Sequence, residues 1–83
     1  MSYSVYIIRC SDGTLYTGIT TDLKRRISEH NSGKGAKYTS NKTPVECIFS
    51  EKHSSRSAAT KREIEIKSWS RTEKLALAMS VMG

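Results

Sequence analysis

The chain opens on an alternating apolar stretch, YSVYIIRC over residues 3–10, rich in β-branched and aromatic side chains. A similar stretch, TLYTGIT over 14–20, follows Ser11-Asp12-Gly13. Two β-prone runs separated by three residues that include glycine predict an antiparallel hairpin. A three-residue loop with Gly13 left-handed sets Cys10 opposite Thr14, Ile8 opposite Tyr16 and Tyr6 opposite Gly18. Tyr6 and Tyr16 then become diagonal neighbours on one face. A two-residue Asp-Gly loop would put them on opposite faces, and the three-residue loop is the expectation. Gly18 weakens a strand unless something approaches its backbone closely. The candidates are a phosphate, the ring of Tyr6, or only a local bulge.

Downstream the apolar period lengthens. Thr21-Asp22 supplies a helix start and Asn31 to Gly33 a stop, predicting a helix over Asp22–Asn31. Leu23, Arg26, Ile27 and His30 share one stripe of it. Leu23 and Ile27 suit a core. Arg26 and His30 do not, unless the arginine meets an anion or snorkels past the core edge. PVECIFS, from Pro44 to Ser50, alternates Val45, Cys47 and Phe49 against Glu46 and Ser50, so it reads as a third strand. Serines between 54 and 57 offer N-caps for a helix over Ser57–Ser70. Ala59, Glu63 and Ile66 form its stripe, flanked by Ala58 and Trp69, so Glu63 takes an apolar slot. Glu65 and Lys67 read as a solvated face. Thr72 is expected to cap a last helix, Glu73–Val81, with Leu75, Ala78, Met79 and Met82 inward. The expected class is α+β, a three-stranded antiparallel sheet packed among helices, in a single domain over 1–83.

Eighty-three residues, 36% hydrophobic and 27% charged, allow only a small core and exclude a Rossmann enzyme or a TIM barrel. No apolar run approaches a membrane span and no signal-peptide pattern opens the chain, so a cytoplasmic protein with no membrane partner is expected. Cys10 and Cys47 lack the paired spacing of a zinc site and read as two reduced, buried thiols. Fourteen Lys and Arg against eight Asp and Glu leave a net charge of +6. That surplus suits a polyanion such as nucleic acid, or serves solubility alone. The basic loop SGKGAKYTSNK, over 32–42, adds backbone amides, Lys34, Lys37 and Lys42 for phosphates and Tyr38 for stacking on a base. It is not a P-loop, and a merely solvated loop is the alternative.

Two helices thus each carry misplaced groups, Arg26 with His30 on one and Glu63 on the other, beside two tyrosines on a hairpin. Such breaks in pattern are where a functional site is expected. Tyrosine, arginine, histidine and one carboxylate suit phosphodiester hydrolysis, which needs an activated water, charge neutralisation and a protonated leaving oxygen. Mg²⁺ often binds through one carboxylate plus substrate phosphates, so Glu63 suffices. The competing structural reading pairs Arg26 with Glu63 as a buried salt bridge.

Val5-Tyr6, followed by Tyr16-Thr17-Gly18, resembles the GIY-YIG motif pair. TDLKRR, over 21–26, resembles the helix that follows it, and Glu63 after AATKR resembles the family's metal-binding glutamate. The similarity runs from Tyr3 to about Leu77 and is greatest to the small, single-domain bacterial branch (UPF0213-like). Ser4 and Thr17 replace the motif's first glycine and second isoleucine, both structural. Ile19 stands where the excision-repair branch has a lysine. The resemblance implies the α+β fold expected above and a DNA endonuclease, in repair or recombination, with one Mg²⁺ or Mn²⁺ ion on Glu63. It implies that Tyr6 and Tyr16 are the motif tyrosines, one helping to activate water. Arg26 would stabilise phosphate charge and His30 would be a proton-transfer group. Lys24, Arg25, Lys34, Lys37, Tyr38 and Lys42 would contact the DNA, with a protein partner supplying specificity. The alternatives are a noncatalytic nucleic-acid-binding module and an accessory protein docking on an acidic partner.

Overall fold

The computed structural model describes residues 2–35 and 37–82. β1 (Tyr3–Arg9) and β2 (Leu15–Thr20) form the hairpin. The Cys10 N–H donates to the Thr14 carbonyl at 2.8 Å and the Gly13 N–H to the Cys10 carbonyl at 2.9 Å. Gly13 has φ +87°, the left-handed backbone that the three-residue turn demands. The expected register follows: Ile8 faces Tyr16 and Tyr6 faces Gly18. β3 (Glu46–His53) pairs with the other edge of β1, giving an antiparallel sheet of order β2-β1-β3. The central position of β1 explains its unbroken VYII run. Val5, Tyr6, Ile7 and Ile8 are buried because both faces of that strand are covered.

β3 departs from the expected third strand in two ways. It continues past Ser50, pairing Glu51, Lys52 and His53 with Val5, Ser4 and Tyr3. No apolar alternation marks that polar extension, which is held by backbone pairing to β1. It also carries a bulge: Phe49 lies opposite Ile7 but Cys47 opposite Ile8, leaving Ile48 as an extra residue. One extra residue reverses side-chain parity. Phe49 therefore packs with Val5 and Ile7, and Val45 with Tyr6 and Ile8 on the opposite face. Cys47 is exposed on this outer strand rather than buried, and only Cys10 is a core thiol.

α1 (Leu23–Asn31) covers the Tyr6–Ile8 face through Leu23 and Ile27. α2 (Arg56–Lys67) and α3 (Arg71–Met82) cover the Val5–Ile7 face through Ala59, Ile66, Leu77 and Ala78. Asp22 caps α1 by accepting the Arg25 N–H at 3.1 Å, and Ser55 caps α2 by accepting the Ala58 N–H at 3.2 Å. α3 starts earlier than expected. Ser70, not Thr72, forms a reciprocal capping box with Glu73, at 3.0 and 3.2 Å. Its inward face is also rotated, with Leu77 packed on the core and Met79 71% exposed. α3 is apolar on several sides, so periodicity alone does not choose the face. The side chain of Met82 lies outside the described residues. Among the described residues no helix is long and apolar enough to cross a membrane.

Thr17, opposite Ile7, is buried, and its hydroxyl has no hydrogen-bond partner among the described residues. An unpaired buried hydroxyl costs about 1–3 kcal/mol. Thr17→Val keeps the shape and removes that cost. It should raise the melting temperature by at least about 4 °C, at roughly 4–8 °C per kcal/mol for a domain this size. An unchanged or lower melting temperature would contradict this account of Thr17.

Candidate active site

The hairpin register places Tyr6 and Tyr16 on the α1 face with ring centroids 6.4 Å apart. Gly18 makes this possible. A Cβ there would lie 2.6 Å from the Tyr6 hydroxyl oxygen, 2.8 Å from its Cζ and 3.1 Å from Tyr16 Cε1. Of the readings open for Gly18, the geometry shows the tyrosine ring.

The two groups that break the α1 stripe converge on the same hydroxyl. Arg26 Nε donates to Tyr6 Oη at 3.4 Å, and His30 Nε2 lies 2.9 Å from it. His30 Nδ1 lies 2.7 Å from the Thr39 hydroxyl. One assignment of protons gives each of these three contacts a donor and an acceptor: Arg26 to Tyr6, Tyr6 to His30 Nε2, and His30 Nδ1–H to Thr39. Tyr6, His30 and Thr39 are all buried. Gly35 seals the imidazole, because a Cβ at that position would sit 2.3 Å from His30 Nδ1 and 2.8 Å from His30 Cα. Arg26 itself stays partly open, 29% exposed, with Nη1 3.2 Å from Glu29 Oε1.

Burial pushes the Tyr6 phenol above its ordinary pKa, against the Arg26 hydrogen bond, and the charges of Tyr16 and Glu63 push the same way. Tyr6 is therefore protonated near neutrality. Burial, then the Arg26 charge, lowers the His30 pKa. A histidine with a depressed folded pKa resists protonation that the unfolded chain accepts below about pH 6.5. Stability should thus be full above that pH and fall as pH drops through it towards the folded pKa. The loss is at most about 1.4 kcal/mol at one pH unit below the unfolded value. Melting at pH 7.5 and 5.5 should show a drop that His30→Gln removes. Equal drops in the two proteins would refute it.

Glu63 lies on α2, which packs across β1 and β2. Its carboxylate is 18% exposed, 3.4 Å from Lys67 Nζ, and near enough for its charge to act on Tyr6. The salt bridge between Arg26 and Glu63 does not form. Arg26 pairs with Glu29, one turn along its own helix, and Lys67 reaches back to Glu63. Arg62 instead ties α2 to β3 through Glu51 at 2.7 Å. No group of three His, Cys, Asp or Glu that could cage a metal occurs among the described residues. A single partly open carboxylate, Glu63, is the kind of ligand a hard cation takes when it keeps its waters and shares substrate oxygens.

The basic residues divide into two sets. Lys24 and Arg25 on α1, and Lys34 and Lys37 beyond it, are exposed. Tyr38 is 48% exposed and stacks on Tyr16 with centroids 6.0 Å apart. Lys42 does not stand free. Its ammonium lies 3.5 Å from Asp12 and 3.8 Å over the Tyr38 ring, fixing that ring against the hairpin turn. Three supporting residues escaped the sequence pattern. Glu29 was legible as an i,i+3 partner of Arg26. Thr39 sits beside Tyr38 but carries no signal of its own. Asn31 pairs both ways with the Val45 backbone, at 3.2 and 2.7 Å, docking the end of α1 on the start of β3.

Tyr6 and Tyr16 on the hairpin, Arg26 on the next helix and Glu63 beyond the third strand are the site's chemistry-bearing groups. The GIY-YIG catalytic domain family matches residues 2–76. A UPF0213 protein of Natronomonas pharaonis is 52% identical, over 95% of this chain and 93% of that protein. One of Staphylococcus haemolyticus is 52% identical, over 88% and 89%. The solution NMR structure of a UPF0213 protein from Bacillus halodurans superposes with a TM-score of 0.61 at 44% identity, covering 95% of this chain and 84% of that one. A second solution structure, of a protein from E. faecalis, gives 0.65 at 40% identity, covering 100% and 90%. The chain belongs to the GIY-YIG family, a nuclease family, and within it to the UPF0213 group.

Proposed function

We propose that this protein is an endonuclease that hydrolyses DNA phosphodiester bonds in repair or recombination, with one Mg²⁺ or Mn²⁺ ion held by Glu63. The observation that carries the reading is the Tyr6 hydroxyl. It gathers Arg26 and His30 while Glu63, left unpaired by Arg26, acts on it from α2. Arg26 is braced by Tyr6 and Glu29, which leaves Nη2 to meet a nonbridging phosphate oxygen. Tyr16 is half-buried, nearer solvent than Tyr6, and is the phenol that orients the attacking water. Tyr6 and the sealed His30 hold Arg26 and Tyr16 in place. When bound, the cation supplies neutralisation of the charge that grows on the phosphate and leaving oxygen. Lys24, Arg25, Lys34 and Lys37 contact phosphates, Lys42 acts through Tyr38, and a protein partner selects the cutting site.

The test is incubation with plasmid, single-stranded and branched DNA in Mg²⁺ or Mn²⁺. Cleavage that EDTA and Glu63→Ala both remove is expected. Salt-sensitive binding without cleavage of any substrate would replace the proposal with a noncatalytic binding module. Neither binding nor cleavage would leave a protein that docks on an acidic partner.

A further inference from the structure

Two adjoining clefts lie beside the β1–β2 turn, and the reading above uses neither. The smaller, about 230 Å³, is walled by Thr14, Leu15, Tyr38, Arg71 and Lys74. The larger, about 530 Å³, lies on the other side of Arg71, towards Arg9, Ser11 and Glu46. Arg71 lines both, and its guanidinium is fixed there by donating to the Gly13 carbonyl. Lys74 follows at i+3 on the same side of α3.

Among the described residues no carboxylate pairs with Arg71 or Lys74. The acidic groups nearby are occupied: Glu46 by Arg9, Asp12 by Lys42 and Thr14, and Glu73 by the Ser70 N–H. The smaller cleft opens onto Tyr38, which stacks on Tyr16, which in turn neighbours Tyr6. A line of rings therefore leads from these two cations to the tyrosine pair.

We propose that Arg71 and Lys74 form a second strand-binding site, holding the phosphodiester backbone of the same nucleic acid whose scissile bond lies at Arg26 and Glu63. The strand passes over Tyr38 between the two places. This rests on the nucleic-acid reading above and assigns to α3 a role beyond its contribution to the core. Arg71 stays pre-ordered by Gly13, so little of its side-chain freedom is lost on binding.

The test is fluorescence anisotropy with labelled single-stranded and duplex oligonucleotides over a range of salt. The variant Arg71→Gln with Lys74→Gln keeps a donor for Gly13. Lys74→Glu alone leaves that anchor intact, should the pair fail to fold. The pair should bind at least about tenfold more weakly. Its log–log salt slope should shrink by about 1.4 for single strands or about 1.8 for duplex, at roughly 0.7–0.9 per phosphate contact. Lys74→Glu alone should lose at least half that slope change. Lys52→Gln with Arg56→Gln, at the opposite end of the sheet, should leave the slope near that of the parent. A parent that binds while both α3 variants keep its slope would overturn this site and leave the nuclease reading standing. A parent that binds neither oligonucleotide overturns both. The change in one oligonucleotide series but not the other shows whether a single strand or a duplex occupies the cleft.

Discussion

Glu63→Ala should lower the cleavage rate by at least about 100-fold while leaving DNA affinity and melting temperature nearly unchanged. The activity loss follows from the role proposed for the carboxylate. Transition-state charge neutralised through a metal is worth several kcal/mol, and about 2.7 kcal/mol is a factor of 100. The stability effect is small because, among the described residues, Glu63 is held by Lys67 alone, four residues along the same helix, and that lysine is half exposed. Such a pair is worth about 0.3–0.5 kcal/mol. Arg26 is not stranded by the change, since its partners are Tyr6 and Glu29. A purely structural Glu63 would give the reverse pattern, a large fall in melting temperature with cleavage retained per folded molecule. Cleavage rate and thermal melting measured on one preparation separate the two.

Gly18→Ala should damage fold and site together. The new methyl carbon would lie 2.6 Å from the Tyr6 hydroxyl oxygen and 2.8 Å from Cζ. Tyr6 cannot retreat cheaply, because its ring is buried and its oxygen is held by His30 and Arg26. Overpacking of this kind costs about 1–3 kcal/mol, hence a fall of at least about 4 °C in melting temperature. Any rotation that relieves the clash takes the hydroxyl from Arg26 Nε, so cleavage should fall beyond the loss of folded protein. Tyr6→Phe removes the atom in closest conflict. The double variant should therefore be less destabilised than the two single changes summed, a coupling that a double-mutant cycle reads directly. Additive effects, or a Gly18→Ala protein as stable as its parent, would show that the glycine is not there for the ring.

Much of this site was legible because its signals are local. The turn Ser11-Asp12-Gly13 sets the register, and the register alone puts Tyr6 opposite Gly18 and diagonal to Tyr16. Helical spacing marked Arg26, His30 and Glu63 as groups in apolar slots, and the motif resemblance led to the GIY-YIG family that the whole-chain similarity shows. Caps at Asp22 and among the serines near 55 likewise depend on bonds spanning three residues.

What periodicity could not decide were choices between partners far apart in the chain. The bulge at Ile48 sends Val45 and Phe49 to opposite faces of β3, and Cys47 is left exposed on that outer strand. Arg26 selects Glu29 rather than Glu63, and His30 is sealed by Thr39 and Gly35 from the basic loop. α3 exposes Met79 and places Arg71 against Gly13, 58 positions away in the chain. Short-range hydrogen bonding and hydrophobic period belong to the sequence by itself. Which of several equivalent faces is buried, and which of two available charges closes a pair, depends on the packing that only the assembled tertiary structure creates.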